Sequence, residues 1–368
     1  MPVRLAKRER MCYNAAKGGI TMQRDELLLY RLNGQHLLCP GENPSGDLCG
    51  LQAQFLRNAV HALCIRAGEA KVNGLVKTWT LRGTVHLIPE ADLPLYIRVC
   101  GKVEDVCQSG WYRWTMERGH ANDPRREIEL ARMTVEAIAC GIDTREALRE
   151  CLRTFGMTND EEARVFNPWG GMIAELANIG VLAFRVDMLD SIRPDETKRY
   201  RLLEPFTPME ESAARRVLLH RYLTHYGPVT LRDAAYFFHW TQAEVNAMLA
   251  QMSVQSAVCE GRAYYWLGEA DLASNLPEVR LLAGFDPLML GYRKEDNPFL
   301  PSEHLRGIFN LAGIVNPAIL LRGRVVGKWK EKNGKVEFTA FEPLCAADKH
   351  SIEDEAQRYF AIKKVIWA

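Results

Sequence analysis

Residues 212–268 read SAARRVLLHRYLTHYGPVTLRDAAYFFHWTQAEVNAMLAQMSVQSAVCEGRAYYWLG, and this stretch decides the fold class. Ser212 precedes Ala213, Val217, Leu218 and Tyr222 at helical spacing, and the run stops at Tyr226-Gly227-Pro228, where glycine and proline interrupt a helix. Thr230 caps a second helix over residues 231–238. After His239-Trp240 a third begins at Thr241, with Glu244 completing a capping box ahead of Val245, Met248, Leu249 and Met252. Residues 254–258 and 263–267 flank the turn Cys259-Glu260-Gly261-Arg262 and read as a two-stranded ribbon. Three helices followed by a hairpin predict a winged helix.

The same order recurs upstream, with helices expected at 128–139, 144–155 and 166–179 and strands at 181–186 and 198–203, joined by a polar loop over 187–197. It recurs again near the N-terminus as helices at 25–32, 54–67 and 69–77 and a strand at 78–88. Beyond Glu278 the texture changes to short β-rich runs with glycine turns, which predict a small barrel or sheet closed off by a helix at 352–361. The expected class is α+β: three tandem winged-helix units and a C-terminal β-barrel, with boundaries 1–120, 121–206, 207–275 and 276–368.

A chain of 368 residues has ample length for several cores, and 47% hydrophobic with 25% charged residues is ordinary globular composition. Collagen-like, disordered and disulfide-scaffold classes drop out. Lys and Arg number 47 against 46 Asp and Glu, so any surface for an anionic polymer must be local. The ten cysteines show no Cys-x-x-Cys and no Cys/His cluster at zinc spacing, so no metal and a reduced, cytoplasmic protein are expected. The basic segment 1–10 leads into no apolar run, so neither a secretion signal nor a membrane span is expected. Dinucleotide, Walker, zinc-peptidase and nucleophile-elbow motifs are absent as well.

Two stretches carry candidate chemistry. Leu51-Gln52-Ala53-Gln54 follows a loop rich in Gly, Pro, Asn and Ser and precedes an amphipathic helix. In a regular helix the two glutamines would diverge by about 200°, but in an extended stretch they share a side. A converging pair of carboxamides positions a water or a sugar without titrating. The alternative is a pair of polar side chains facing bulk water. In the strand 78–88, Trp79, Leu81, Val85 and Leu87 take one face and Thr78, Thr80, Arg82, Thr84 and His86 the other, which must meet water, a ligand or a partner. Trp111, Tyr112 and Trp114 beside Arg113 and Arg118 read as core packing or a base-stacking cluster. The run 321–332 concentrates cations on a hairpin, either as a solvated edge or as a phosphate-contacting ribbon.

Taken together, Gly50-Leu51-Gln52-Ala53-Gln54, the run from Lys77 to Leu87, Phe285-Asp286-Pro287-Leu288-Met289-Leu290-Gly291-Tyr292-Arg293 and the run from Arg322 to Trp329 resemble the AlkZ-type winged-helix DNA glycosylases, a family that includes crosslink-unhooking enzymes. The resemblance implies winged helices and a β-barrel wrapped into a concave surface for double-stranded DNA, and monofunctional hydrolysis of the N-glycosidic bond of N7-alkylated purines by a monomer with no cofactor. It puts the family's Gln-x-Gln motif on Gln52 and Gln54, where a related branch has Gln-x-Asp. Arg57, Lys77, Arg82, Thr84 and His86 are expected around the site or on DNA, and Arg322, Arg324 and Lys328 on phosphates. The residues by themselves also allow a non-catalytic winged-helix regulator.

Overall fold

The computed structural model describes residues 20–98, 101–108, 110–119, 123–167, 170–270, 272 and 275–368. The basic segment 1–10, Cys12 and Cys100 lie outside them. The chain opens with β1 (Ile20–Thr21), α1 (Arg24–Gly34), α2 (Pro44–Asp47), β2 (Leu51–Gln52), α3 (Leu56–Ala67), β3 (Leu75–Trp79) and β4 (Val85–Pro89). It continues through α4 (Leu93–Tyr96), α5 (Gly110–Glu117), α6 (Pro124–Ala139), α7 (Arg145–Thr154), α8 (Asn159–Val165), α9 (Met172–Asn178), β5 (Leu182–Phe184) and β6 (Tyr200–Leu202). Next come α10 (Glu211–His225), α11 (Leu231–Phe238), α12 (Gln242–Leu249), β7 (Gln255–Cys259) and β8 (Arg262–Trp266). The last part holds β9 (Val279–Leu281), α13 (Pro287–Leu290), α14 (Leu305–Ile308), β10 (Ala318–Leu321), β11 (Arg324–Lys332), β12 (Lys335–Ala340), α15 (Ala346–Gln357) and β13 (Lys364–Trp367).

Local chemistry sets the third of these groups. Thr230 Oγ1 accepts from the Asp233 N–H at 3.1 Å while the Asp233 carboxylate accepts from the Thr230 N–H at 3.0 Å, and Thr241 and Glu244 repeat the arrangement. Each box satisfies two helix-end donors. The β7–β8 turn needs positive φ at both central residues, and Glu260 (47°) and Gly261 (76°) supply it.

Elsewhere the structure corrects the sequence reading. The helix expected at 69–77 is absent: Gly68 and Gly74 both take positive φ, and β3 starts at Leu75. The strand expected at 78–88 is a hairpin, broken where Arg82 (59°) and Gly83 (65°) turn the chain. The helix expected at 166–179 starts only at Met172, as α9, after Gly171 with φ 100°, where a Cβ would lie 2.2 Å from the Arg164 carbonyl oxygen; the separate helix α8 precedes the expected span. The closing helix sits earlier, at Ala346–Gln357. The C-terminal strands form an open five-stranded sheet in the order β13-β12-β11-β10-β9, and among the described residues no closed barrel is found.

Contacts divide the chain into two units. One comprises the described residues up to Leu51, His61–Lys71 and Leu218–Ala368; the other comprises Gln52–Val60 and Val72–Val217. In the first, Leu281, Ile319, Trp329, Phe338 and Ile352 form a core beneath the C-terminal sheet. Tyr222, Tyr226, Phe237 and Tyr292 form a buried aromatic group, and the Arg31 guanidinium lies 3.8 Å from the Tyr292 ring centroid and 5.7 Å from that of Tyr264 and donates to the Pro228 carbonyl at 2.9 Å. In the second, Leu130, Leu148, Phe166, Leu176, Leu182 and Tyr200 build the core. Its sheet runs β2-β4-β3-β5-β6, so strands from regions expected in separate repeats pair with each other, Lys77 opposite Phe184. No disulfide joins the described cysteines, and no described helix is long and apolar enough to cross a membrane.

Candidate active site

Gln52 ends β2, and the chain stays non-helical through Ala53 and Gln54 until α3 starts at Leu56. Ala53 is fully buried and its N–H donates to the Val85 carbonyl at 2.8 Å, which fastens the segment to β4. Side chains alternate along such a backbone, so with Ala53 turned inward the flanking glutamines share the opposite side. Gln52, half-buried, donates from Nε2 to Oε1 of the exposed Gln54 at 3.3 Å. That bond leaves the Gln52 carbonyl as an acceptor and the Gln54 amide as a donor for a third group.

A residue that sequence reasoning missed holds the next turn. Glu196, in the polar loop ahead of β6, accepts from the backbone N–H groups of Leu56 at 3.2 Å and Arg57 at 2.8 Å, capping α3 from about 140 positions away. No local pattern announces a cap supplied from so far along the chain. Phe55 was also missed; it is exposed, with the Arg57 guanidinium 5.8 Å from its ring centroid. A large apolar side chain displayed beside Gln54 was legible as a residue but not as a surface one.

Lys77 is half-buried on β3, its ammonium 5.4 Å from the Phe184 ring centroid. Burial pushes its pKa down to about 8 against the opposing pull of Glu196. The other expected residues of this unit do not line one open strand face. Arg82 sits in the hairpin turn, and the Thr84 hydroxyl donates to the Leu81 carbonyl at 3.1 Å. His86 is buried opposite Thr78, which is buried too, with Nδ1 2.8 Å from Thr80 Oγ1 and 3.1 Å from the Thr84 carbonyl oxygen. Burial, helped by Arg82, drops its pKa to about 3, so near neutral pH the ring carries no charge. The reading of one solvated or cleft-facing polar surface fails because the turn at Arg82 breaks the alternation.

Gln52, Gln54, Arg57, Lys77, Arg82, Thr84 and His86 all belong to the second unit, and Arg322, Arg324 and Lys328 to the first. Arg322 occupies the β10–β11 turn and reaches Asp348 at 2.7 Å; Arg324 reaches Glu342 at 3.1 Å and Glu303 at 3.3 Å. Lys328 lies on β11, half-buried. In the aromatic cluster of α5, Tyr112 is core, whereas Trp114 is exposed with Arg118 4.4 Å from its ring centroid.

The sequence profile of the AlkZ-like DNA glycosylases matches residues 46–362, most of the chain. The chain belongs to this family. As an AlkZ-like DNA glycosylase it acts on DNA and hydrolyses N-glycosidic bonds. A relative described as an interstrand DNA cross-link repair glycosylase, from Streptomyces sahachiroi, is 26% identical over 365 residues, covering 90% of this chain and 94% of its own. The solved structure of Streptomyces sahachiroi DNA glycosylase AlkZ superimposes with a TM-score of 0.68 at 22% identity, over 95% of this chain and 100% of that one, a likeness of fold. This AlkZ-like chain thus shares the mixed α+β architecture of that structure.

Proposed function

We propose that the chain excises N7-alkylated purines from double-stranded DNA by monofunctional hydrolysis, with Gln52 and Gln54 as catalytic residues. The observation that carries this is the convergence of the two carboxamides at 3.3 Å at the end of β2. An N7-alkylated purine is already cationic, so when the C1′–N9 bond breaks the base takes the bonding electrons and departs neutral, and no carboxylic acid is needed to protonate it. What remains is to hold a water against an oxocarbenium-like sugar, a task of position and electrostatics. The acceptor on Gln52 and the donor on Gln54 suit a water that attacks C1′ and releases its proton to solvent.

The lesion range extends to guanines joined across the two strands, by analogy with the Streptomyces sahachiroi repair glycosylase. The helix-helix-helix-hairpin order of residues 211–266 supports reading 207–275 as a winged helix, with 1–120 and 121–206 as diverged copies and 276–368 as a barrel-derived sheet. We read the enzyme as a cytoplasmic monomer whose hydrolysis needs no cofactor. Arg57, Lys77, Arg82, Thr84 and His86 support the site or contact DNA, and Arg322, Arg324 and Lys328 take phosphates.

The test is release of N7-methylguanine from duplex DNA by the purified protein and its Gln52→Ala and Gln54→Ala variants, with alkali revealing abasic sites. Excision falls about 100-fold or more in each variant while DNA binding persists. Wild-type rates in both variants would remove the glutamines from the chemistry.

A further inference from the structure

Three side chains with ligand atoms, from two distant parts of the chain, meet within the first unit: His36, just beyond α1, Asp47, the last residue of α2, and His225, the last residue of α10. Their donor atoms all lie within 4.8 Å of one another. Asp47 faces both rings, with Oδ2 2.9 Å from His36 Nε2 and Oδ1 3.7 Å from His225 Nε2. The three side chains are 17%, 28% and 19% exposed in that order, open enough for an ion to enter and shielded enough to strengthen its binding.

The tautomer of His225 is set by its other nitrogen. Nδ1 lies 3.0 Å from the Gly34 carbonyl oxygen, which can only accept, so Nδ1 carries the proton. A neutral ring then directs a bare Nε2 lone pair at Asp47, and two lone pairs facing each other at 3.7 Å repel unless positive charge lies between them. A proton does not fit: the separation exceeds hydrogen-bond reach. A metal ion does. Bonds of about 2.0–2.2 Å at tetrahedral angles hold ligand atoms about 3.3–3.5 Å apart, between the 2.9 and 3.7 Å observed. A hydrogen bond from a histidine's far nitrogen to a carbonyl is also the usual support for a metal ligand.

Two further features favour a cation. Helices α1 and α10, of 11 and 15 residues, both end at the cluster and turn the negative ends of their dipoles toward it. His36 is held in a left-handed backbone conformation, φ 58°, with Gly41 packed so closely on its ring that a Cβ there would lie 2.5 Å from Nδ1. The opposing charge is Arg221, which donates to the Gly46 carbonyl at 3.1 Å.

We propose that His36, Asp47 and His225 form a binding site for a divalent transition-metal ion, zinc by its donor set of two imidazoles and one carboxylate, with a fourth position for water. The ion ties the ends of three helices together and anchors Asp47, five positions ahead of Gln52 in the chain. The site stands independently of the glycosylase reading.

The experiment uses the full chain, stripped with chelator and titrated with zinc by calorimetry and with cobalt(II) by visible absorption. The expected result is one metal per chain, four-coordinate cobalt bands, and affinity lowered about tenfold or more in His36→Ala, Asp47→Asn and His225→Gln. Asp47→Asn keeps the shape of the side chain, and its circular dichroism serves to separate lost binding from lost folding. Zinc raises the thermal midpoint of the wild type and not of that variant. Absence of saturable binding overturns the proposal. So does stoichiometric binding that the His36→Ala/His225→Ala double variant retains, which would place the ion at a surface pair such as His350 and Asp354.

Discussion

Arg66 and Asp286, 220 positions apart, meet at 2.6 and 3.1 Å with both side chains wholly buried. Asp286 also accepts from the N–H groups of Leu288 at 2.9 Å and Ala283 at 3.2 Å, so the aspartate of the Phe285-Asp286-Pro287 motif is a structural pin that joins α3 to the start of α13. Removing one partner strands a buried charge. Arg66→Ala should lower the unfolding free energy by about 3–5 kcal/mol, read from urea or guanidinium titration. A loss below about 1 kcal/mol would mean that water reaches Asp286 in the variant.

Two buried histidines set an acid limit on stability. Burial holds His61 at about 4 and His86 at about 3, below the value of 6.5 that each has in an unfolded chain. Between those limits the unfolded state binds more protons, so stability is complete above about pH 6.5 and falls as pH drops. At pH 5 the expected loss is roughly 2 kcal/mol for each histidine relative to pH 7, measured as a shift in denaturant midpoint. The same neutrality of His86 predicts a rate of excision flat between about pH 6 and 7, below the range in which Lys77, at about 8, loses its charge. A steep bell in that window would show that a titrating group shares the chemistry.

Glu196 fixes the backbone immediately after Gln54 by accepting two N–H bonds at the start of α3. Glu196→Ala should cost about 1 kcal/mol of stability as a lost cap. It should also slow excision more than it weakens DNA binding, because the carboxylate restrains the segment carrying the glutamines. Equal losses in rate and affinity would assign Glu196 to the DNA surface instead.

The cations of the β10–β11 turn are neutralised within the fold. Arg322 and Arg324 must exchange Asp348, Glu342 and Glu303 for phosphates before they can hold DNA. If they do so, Arg324→Ala lowers the slope of log affinity against log salt by about 1, and Glu342→Gln tightens binding. An unchanged slope in both Arg322→Ala and Arg324→Ala would make this turn a protected sheet edge.

The elements legible in the sequence are those whose determinants are local. Thr230 and Thr241 announce their helices through caps three residues long, and Glu260-Gly261 announces its turn. The shared side of Gln52 and Gln54 follows from one apolar residue between two polar ones. The hairpin at Arg82 was hidden because arginine gives no sign of adopting positive φ, and the neighbouring Gly83 was read as one more strand residue. Glu196 beside Leu56 and Arg57, Arg66 beside Asp286, and His225 beside His36 and Asp47 were invisible for one reason: each pairing spans more than 130 positions and depends on how the chain returns on itself.

That return has a consequence for synthesis. The β3–β4 hairpin that carries the Gln52 segment is completed on its other side by β5, and β5 by β6, whose last residue is Leu202. While the ribosome is still translating the intervening helices, β3 has an unpaired edge, open to pairing with another nascent chain. The two glutamines therefore acquire their final support only after about half of the polypeptide has emerged, and a product truncated before Leu182 would carry the motif without the sheet that holds it.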